Sequence, residues 1–188
     1  MFQDILISPI VTPDSLEIYL VSDKQVPVKG KLTLELLDFS GSRLNRKVVE
    51  LDIPENASEQ VFRSGTDQLL SSFDKSKVFV KACFTSNSGA RVVRPIYFVP
   101  EKELSLEDPG IKFKLESKGT DEYKLVLAVS SLARDVYVRA DSQSIQLDDN
   151  FIDIIPGESR PLIVTSKKSP DQIRESLVIR SLYDTYNE

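Results

Sequence analysis

Apolar and polar residues alternate with a period of two along most of the chain. Leu16, Ile18 and Leu20 alternate with Glu17 and Tyr19; Leu32, Leu34 and Leu36 alternate with Thr33 and Glu35. Val49, Leu51 and Ile53 alternate in the same way with Glu50 and Asp52. Successive strand side chains point to opposite faces, so each run presents one apolar and one polar face, as in a sheet with one wet side. Val78, Val80, Ala82 and Phe84 repeat the theme, and residues 92–99 read as a further strand rich in β-branched and aromatic side chains.

A second series begins after residue 110. Ile111, Phe113 and Leu115 alternate with lysines and a glutamate, followed by Tyr123, Leu125, Leu127 and Val129 and then by Val136 and Val138. Ile145 and Leu147, Phe151 to Ile155, Leu162 and Val164, and Leu177 and Ile179 complete it. Short strands at this spacing predict a sandwich. The alternation shifts from Ile145 and Leu147 to Phe151 and Ile155, so the strand is expected to break, turn and re-enter the core. Asn150 is the residue expected to be left-handed there, and Asp149 the one expected to cap nearby N–H groups.

Turn chemistry separates the runs: Asp38 to Ser42, Asn87-Ser88-Gly89, Lys118 to Asp121, and Pro156-Gly157. Helix signals are few. Thr66 to Leu70 suits one capped turn, and Ser169-Pro170-Asp171 places serine at a cap and proline at the first helical position. Residues 100–110 are polar and carry Pro100, Pro109 and Gly110, which fit poorly into a ladder. The expected fold is all-β, with two consecutive immunoglobulin-like antiparallel β-sandwich domains at residues 1–103 and 104–188. The run from Phe2 to Ile7 is already strand-like, which suggests a piece excised from a longer chain.

Composition narrows the chemistry. Among 188 residues 40% are hydrophobic and 28% charged, as in globular chains, and the net charge is -5 with signs interspersed. No basic stripe marks a nucleic-acid surface, no apolar run is long enough for a membrane helix, and no signal-peptide pattern is visible. The expectation is therefore no nucleic-acid partner and no membrane partner. Histidine is absent, which excludes Ser-His and Cys-His catalysis and every zinc site that uses histidine. Cys83 is the single cysteine, so no intrachain disulfide forms, and its apolar surroundings read as packing.

The densest acidic cluster is Asp148, Asp149 and Asp153, around Asn150. Calcium takes such oxygen ligands, but the spacing is not that of a calcium loop and the required glycine is missing. Retaining glycosidases need two carboxyls about 5 Å apart across a sugar pocket, and neither small domain suggests one. No catalytic, cofactor-binding or metal-binding residue is assigned, and no cofactor is expected. Asn56-Ala57-Ser58 is a glycosylation sequon. Tyr97, Tyr123, Tyr137, Tyr183 and Tyr186 are candidates for stacking on sugar rings, although tryptophan is absent.

Residues 147–158, Leu147-Asp148-Asp149-Asn150-Phe151-Ile152-Asp153-Ile154-Ile155-Pro156-Gly157-Glu158, resemble a segment of the C-terminal immunoglobulin-like domain of β-mannosidases in glycoside hydrolase family 2. Residues 6–11, 16–23, 30–39 and 94–100 resemble the domain just after the catalytic barrel of that family, and residues 102–106 its linker. The resemblance implies two β-sandwich domains before the barrel and two after it, with both catalytic glutamates on the barrel and none here. It implies a non-catalytic accessory pair that packs on and stabilises the barrel of the same parent chain. That parent would remove terminal β-D-mannose and be secreted, periplasmic or lysosomal. Family members acting on galactose or glucosamine share the architecture. The alternatives are a carbohydrate-binding module, with weak carbohydrate as its partner, and a cell-surface scaffold or adhesion protein.

Overall fold

The computed structural model describes residues 4–140 and 145–186, so Phe2 and Gln3 of the expected first strand lie outside the described residues. The chain divides into two compact units, Met1–Asp38 with Ser42–Ser105, and Phe39–Gly41 with Leu106–Glu188. Each described unit is a sandwich of a three-stranded and a four-stranded antiparallel sheet.

The first unit contains β1 (Ile5–Val11), β2 (Ser15–Ser22), β3 (Val28–Asp38), β4 (Arg43–Ile53), β5 (Ala57–Gly65), β6 (Val78–Ser86) and β7 (Arg91–Ile96). Strand orders are β1-β2-β5 and β4-β3-β6-β7. The alternating residues face inward from both sheets: Leu16, Ile18 and Leu20 from β2 meet Leu32, Leu34 and Leu36 from β3 and Phe84 from β6 in one core. Burying each such side chain contributes about 1.5–3 kcal/mol, which is why the period-two pattern fixes the register. Val49 and Leu51 of β4 are only half-buried, because β4 is an edge strand.

The run expected over residues 92–99 leaves the ladder after Ile96. Pro95 is accommodated because β7 is an edge strand and needs no N–H on its outer side. A helical turn, α1 (Thr66–Leu70), forms where expected but without a side-chain cap. Thr66 turns inward instead and its hydroxyl donates to the Thr12 carbonyl at 3.5 Å.

Gly30 lies in β3 where a side chain cannot fit. A Cβ there would press on the Thr85 carbonyl oxygen and sit 2.8 Å from Phe84 Cζ and Ser86 Cα. Gly30→Ala is expected to lower the unfolding free energy by about 2–3 kcal/mol, the upper part of the usual overpacking range, because backbone atoms must move. A urea unfolding curve followed by circular dichroism reads this directly, and an unchanged midpoint would contradict the packing described.

The second unit contains β8 (Lys112–Gly119), β9 (Glu122–Ala128), β10 (Ala133–Ala140), β11 (Gln146–Leu147), β12 (Ile152–Ile154), β13 (Arg160–Thr165) and β14 (Leu177–Arg180). Its sheets run β12-β10-β14 and β11-β13-β9-β8. Leu125, Leu127, Val136, Val138, Leu162 and Val164 form its core with Ile173 of α2 (Pro170–Ser176). The helix starts at the expected signal as a capping box: Ser169 Oγ accepts from the Gln172 N–H at 3.3 Å, and Gln172 Oε1 accepts from the Ser169 N–H at 3.0 Å. A last turn, α3 (Leu182–Tyr186), was not expected; Asp184 Oδ2 accepts from the Ser181 N–H at 2.6 Å before it.

Two residues read as inward-facing are exposed. Phe113 is 43% exposed on the edge strand β8, and Phe151 is 66% exposed. Pro156-Gly157 forms the expected turn, with Gly157 at φ 78° and the Glu158 N–H bonded to the Ile155 carbonyl at 3.0 Å.

Candidate functional site

The groups that carry chemistry elsewhere are held by structural partners here. Glu35 projects from the outer face of β3, 3.1 Å from Lys81 Nζ on β6 and 3.2 Å from Arg43 on β4. Burial alone raises its pKa, but the hydrogen bonds and charges of Lys81 and Arg43 outweigh that and hold the carboxyl below the usual glutamate range. A depressed folded-state pKa means the stabilisation is present above the unfolded value of about 4.3 and is lost as pH falls through the lower, folded one. Glu35→Gln is therefore expected to cost about 1 kcal/mol at neutral pH and to flatten the acid limb of stability against pH. Unfolding curves between neutral and strongly acidic pH check both the cost and its sign.

The acidic cluster after β11 is bonded into the fold. Asp148 Oδ1 accepts from the Ile163 N–H at 2.8 Å. Asp149 Oδ1 accepts from the Asn150 N–H at 2.9 Å, and its Oδ2 pairs with Arg160 at 2.7 Å. Asp153 accepts from the Asp135 N–H at 3.1 Å and pairs with Arg134. Among the described residues no three acidic or cysteine side chains converge as a metal site.

Asn150 does something the expected turn geometry missed. Its Oδ1 accepts from the Val138 N–H and its Nδ2 donates to the Val138 carbonyl, both at 2.8 Å. The β10–β12 ladder pairs Val136 with Ile152, so the Asn150 amide occupies the next rung of that register. The left-handed residue is Phe151, at φ 54°, rather than Asn150. Ile152 and Ile154 face the core and Asp153 faces outward, while Phe151 immediately precedes the strand and is exposed. That alternation was visible in the sequence as Ile152-Asp153-Ile154.

The stacking candidates separate. Tyr123 is a core residue, 8% exposed, whose hydroxyl donates to the Lys168 carbonyl at 2.7 Å. Tyr97 is half-buried against Phe79 with ring centres 6.0 Å apart. Tyr183 is half-buried on α3 and Tyr186 is 52% exposed. Tyr137 lies beneath Phe151, with ring centres 4.9 Å apart and planes 25° apart. Sequence reasoning nominated Tyr137 and overlooked Phe151.

Open clefts among the described residues include two. One of about 200 Å³ in the first unit is lined by Leu34, Lys47, Phe62 and Gln68, with Lys47 Nζ 4.9 Å from the Phe62 ring centre. The other, about 670 Å³, is bordered by Tyr137, Arg139, Leu147 and Asp149. Cys83 is half-buried in β6, with Sγ 3.9 Å from Thr85 Oγ1. Asn56 of the sequon is exposed in the turn between β4 and β5.

Comparison with known proteins gives this surface a context. Residues 14–103 match a mannosidase Ig/CBM-like domain, and residues 106–185 match an Ig-fold domain. Beta-mannosidase B of Aspergillus niger is 24% identical over 162 residues, spanning 84% of this chain and 19% of that protein. Beta-mannosidase B of Neosartorya fischeri is 25% identical over the same length. The chain thus spans about a fifth of the length of the curated relatives it matches. Among solved structures, a β-D-mannosidase of Dictyoglomus thermophilum superposes with TM-score 0.79 at 19% identity, covering 95% of this chain and 22% of that one. An exo-chitosanase of Amycolatopsis orientalis superposes with TM-score 0.58 at 15% identity, covering 93% and 25%. The chain belongs to the mannosidase Ig/CBM-like domain family over residues 14–103 and to the Ig-fold domain family over residues 106–185, a tandem similar to the C-terminal immunoglobulin-like domains of glycoside hydrolase family 2 β-mannosidases.

Proposed function

We propose that the chain is a non-catalytic accessory pair of a family 2 glycoside hydrolase of β-mannosidase type, packing on and stabilising that enzyme's barrel. The observation that carries this reading is the order of the two domain matches, which together align with about a fifth of each β-mannosidase relative. The acids of its densest cluster are engaged in backbone bonds and ion pairs, which suits a structural part. Outward-facing Leu6 and Ile10 of β1, each 48% exposed, offer apolar area of the kind a partner domain covers. The parent acts on terminal β-linked mannose and works in a secreted, periplasmic or lysosomal setting.

The test is the longer protein encoded with this chain, expressed with and without residues 1–188. The full-length protein should hydrolyse 4-nitrophenyl β-D-mannoside. Its truncated form should lose thermal stability or fail to accumulate. Equal activity and equal heat resistance in both forms would remove the stabilising role.

A further inference from the structure

Phe151, in the second unit, is more exposed than Leu6 or Ile10 of β1. Among the described residues it is the most exposed of the large apolar side chains, at 66%. It also sits at φ 54°, a left-handed conformation that bulky residues seldom adopt and that persists only where surrounding bonds impose it. The imposing bonds are on the neighbouring residue. The Asn150 amide is bonded in both directions to Val138, and Asn150 Oδ1 also accepts from the Phe151 N–H at 3.2 Å. One face of the Phe151 ring lies on Tyr137, and a ring so exposed offers its other face to solvent.

The surroundings supply polar partners. Arg139 is exposed two residues along β10 from Tyr137, and so on the same face of the strand. Tyr137, Arg139 and Asp149 border one cleft, and Asp149 is paired with Arg160, each side chain about half exposed, so acceptor and donor atoms are at hand. A fixed aromatic face rimmed by a carboxylate and guanidinium groups is the usual composition of a site for a ring with one apolar face and a girdle of hydroxyls. A β-linked hexopyranose is such a ring, because its axial H1, H3 and H5 all project from one side.

We propose that Phe151, stacked on Tyr137, is a binding platform for a hexopyranose unit of a β-linked glycan, with Asp149, Arg160 and Arg139 bonding its hydroxyls. A single stacked face with an open rim gives weak affinity, of millimolar order. The platform adds glycan contact to the second domain and stands whether or not the barrel-packing role holds.

The test is a titration of the whole 188-residue chain with β-1,4-linked mannotetraose, followed by amide chemical shifts. Saturable shifts are expected at Tyr137, Arg139, Asn150 and Phe151. Phe151→Tyr should keep the affinity. Phe151→Gly, which relieves the left-handed strain and so stays folded, should weaken binding about tenfold or more. α-Linked maltotetraose, whose H1 is not axial, should bind more weakly than the β-linked ligand. The absence of saturable shifts, shifts confined to other strands, or equal affinity in Phe151→Gly would each overturn the platform. So would a longer parent protein in which Phe151→Gly lowers heat resistance while mannotetraose leaves these amides unmoved, since the ring would then be a domain contact.

Discussion

Phe84→Ala is expected to lower the stability of the first sandwich by about 3–5 kcal/mol, most of what a small domain has. Phe84 is 0% exposed in β6, a central strand of its sheet, opposite Leu32 on β3 and Val92 on β7. Removing the ring loses its transfer free energy and leaves a cavity beneath Gly30, where the ring now lies against the strand. Phe84→Leu, which keeps more of the volume, should cost much less, about 1–1.5 kcal/mol. Urea unfolding monitored by far-ultraviolet circular dichroism distinguishes the two. Similar midpoints for both variants would mean that Phe84 is not the packed residue described.

Asn150→Ala should cost the second sandwich about 2–4 kcal/mol. Val138 is 1% exposed, and both of its backbone groups depend on the Asn150 amide. Each buried group left unpaired costs about 1–3 kcal/mol. Asn150→Asp is more informative, because a carboxylate can still accept from the Val138 N–H but sets its second oxygen against the Val138 carbonyl. Only the protonated acid can donate there, so the variant's carboxyl has a raised pKa in the folded state. Stability from a raised pKa is present at low pH and lost as pH rises through the folded value, so the deficit of Asn150→Asp should shrink on acidification. A deficit independent of pH would show that the amide does not bridge both groups.

These residues also show what the sequence made legible. The inner strands β2, β3, β6 and β9 were readable because burial on one face forces strict alternation. Edge strands were less so: β7 stops at Ile96 and β8 leaves Phe113 exposed, since an edge position needs less burial. Ser169 announced α2 through a capping box, whereas α3 carries only Asp184 behind Ser181. Phe151 was misread because an apolar residue beside a core strand suggests burial, and the bond from Asn150 to Val138 that turns it outward spans 12 residues. Tyr123 was legible as a packed residue from its alternation with Leu125 and Leu127, but not its hydroxyl's partner, the Lys168 carbonyl, 45 residues away.

If the two sandwiches are the non-catalytic pair proposed above, the purified 188-residue chain should release 4-nitrophenol from 4-nitrophenyl β-D-mannoside no faster than buffer does. A saturable rate that disappears when one carboxylate of this chain is replaced would show instead that the chain carries a reacting group.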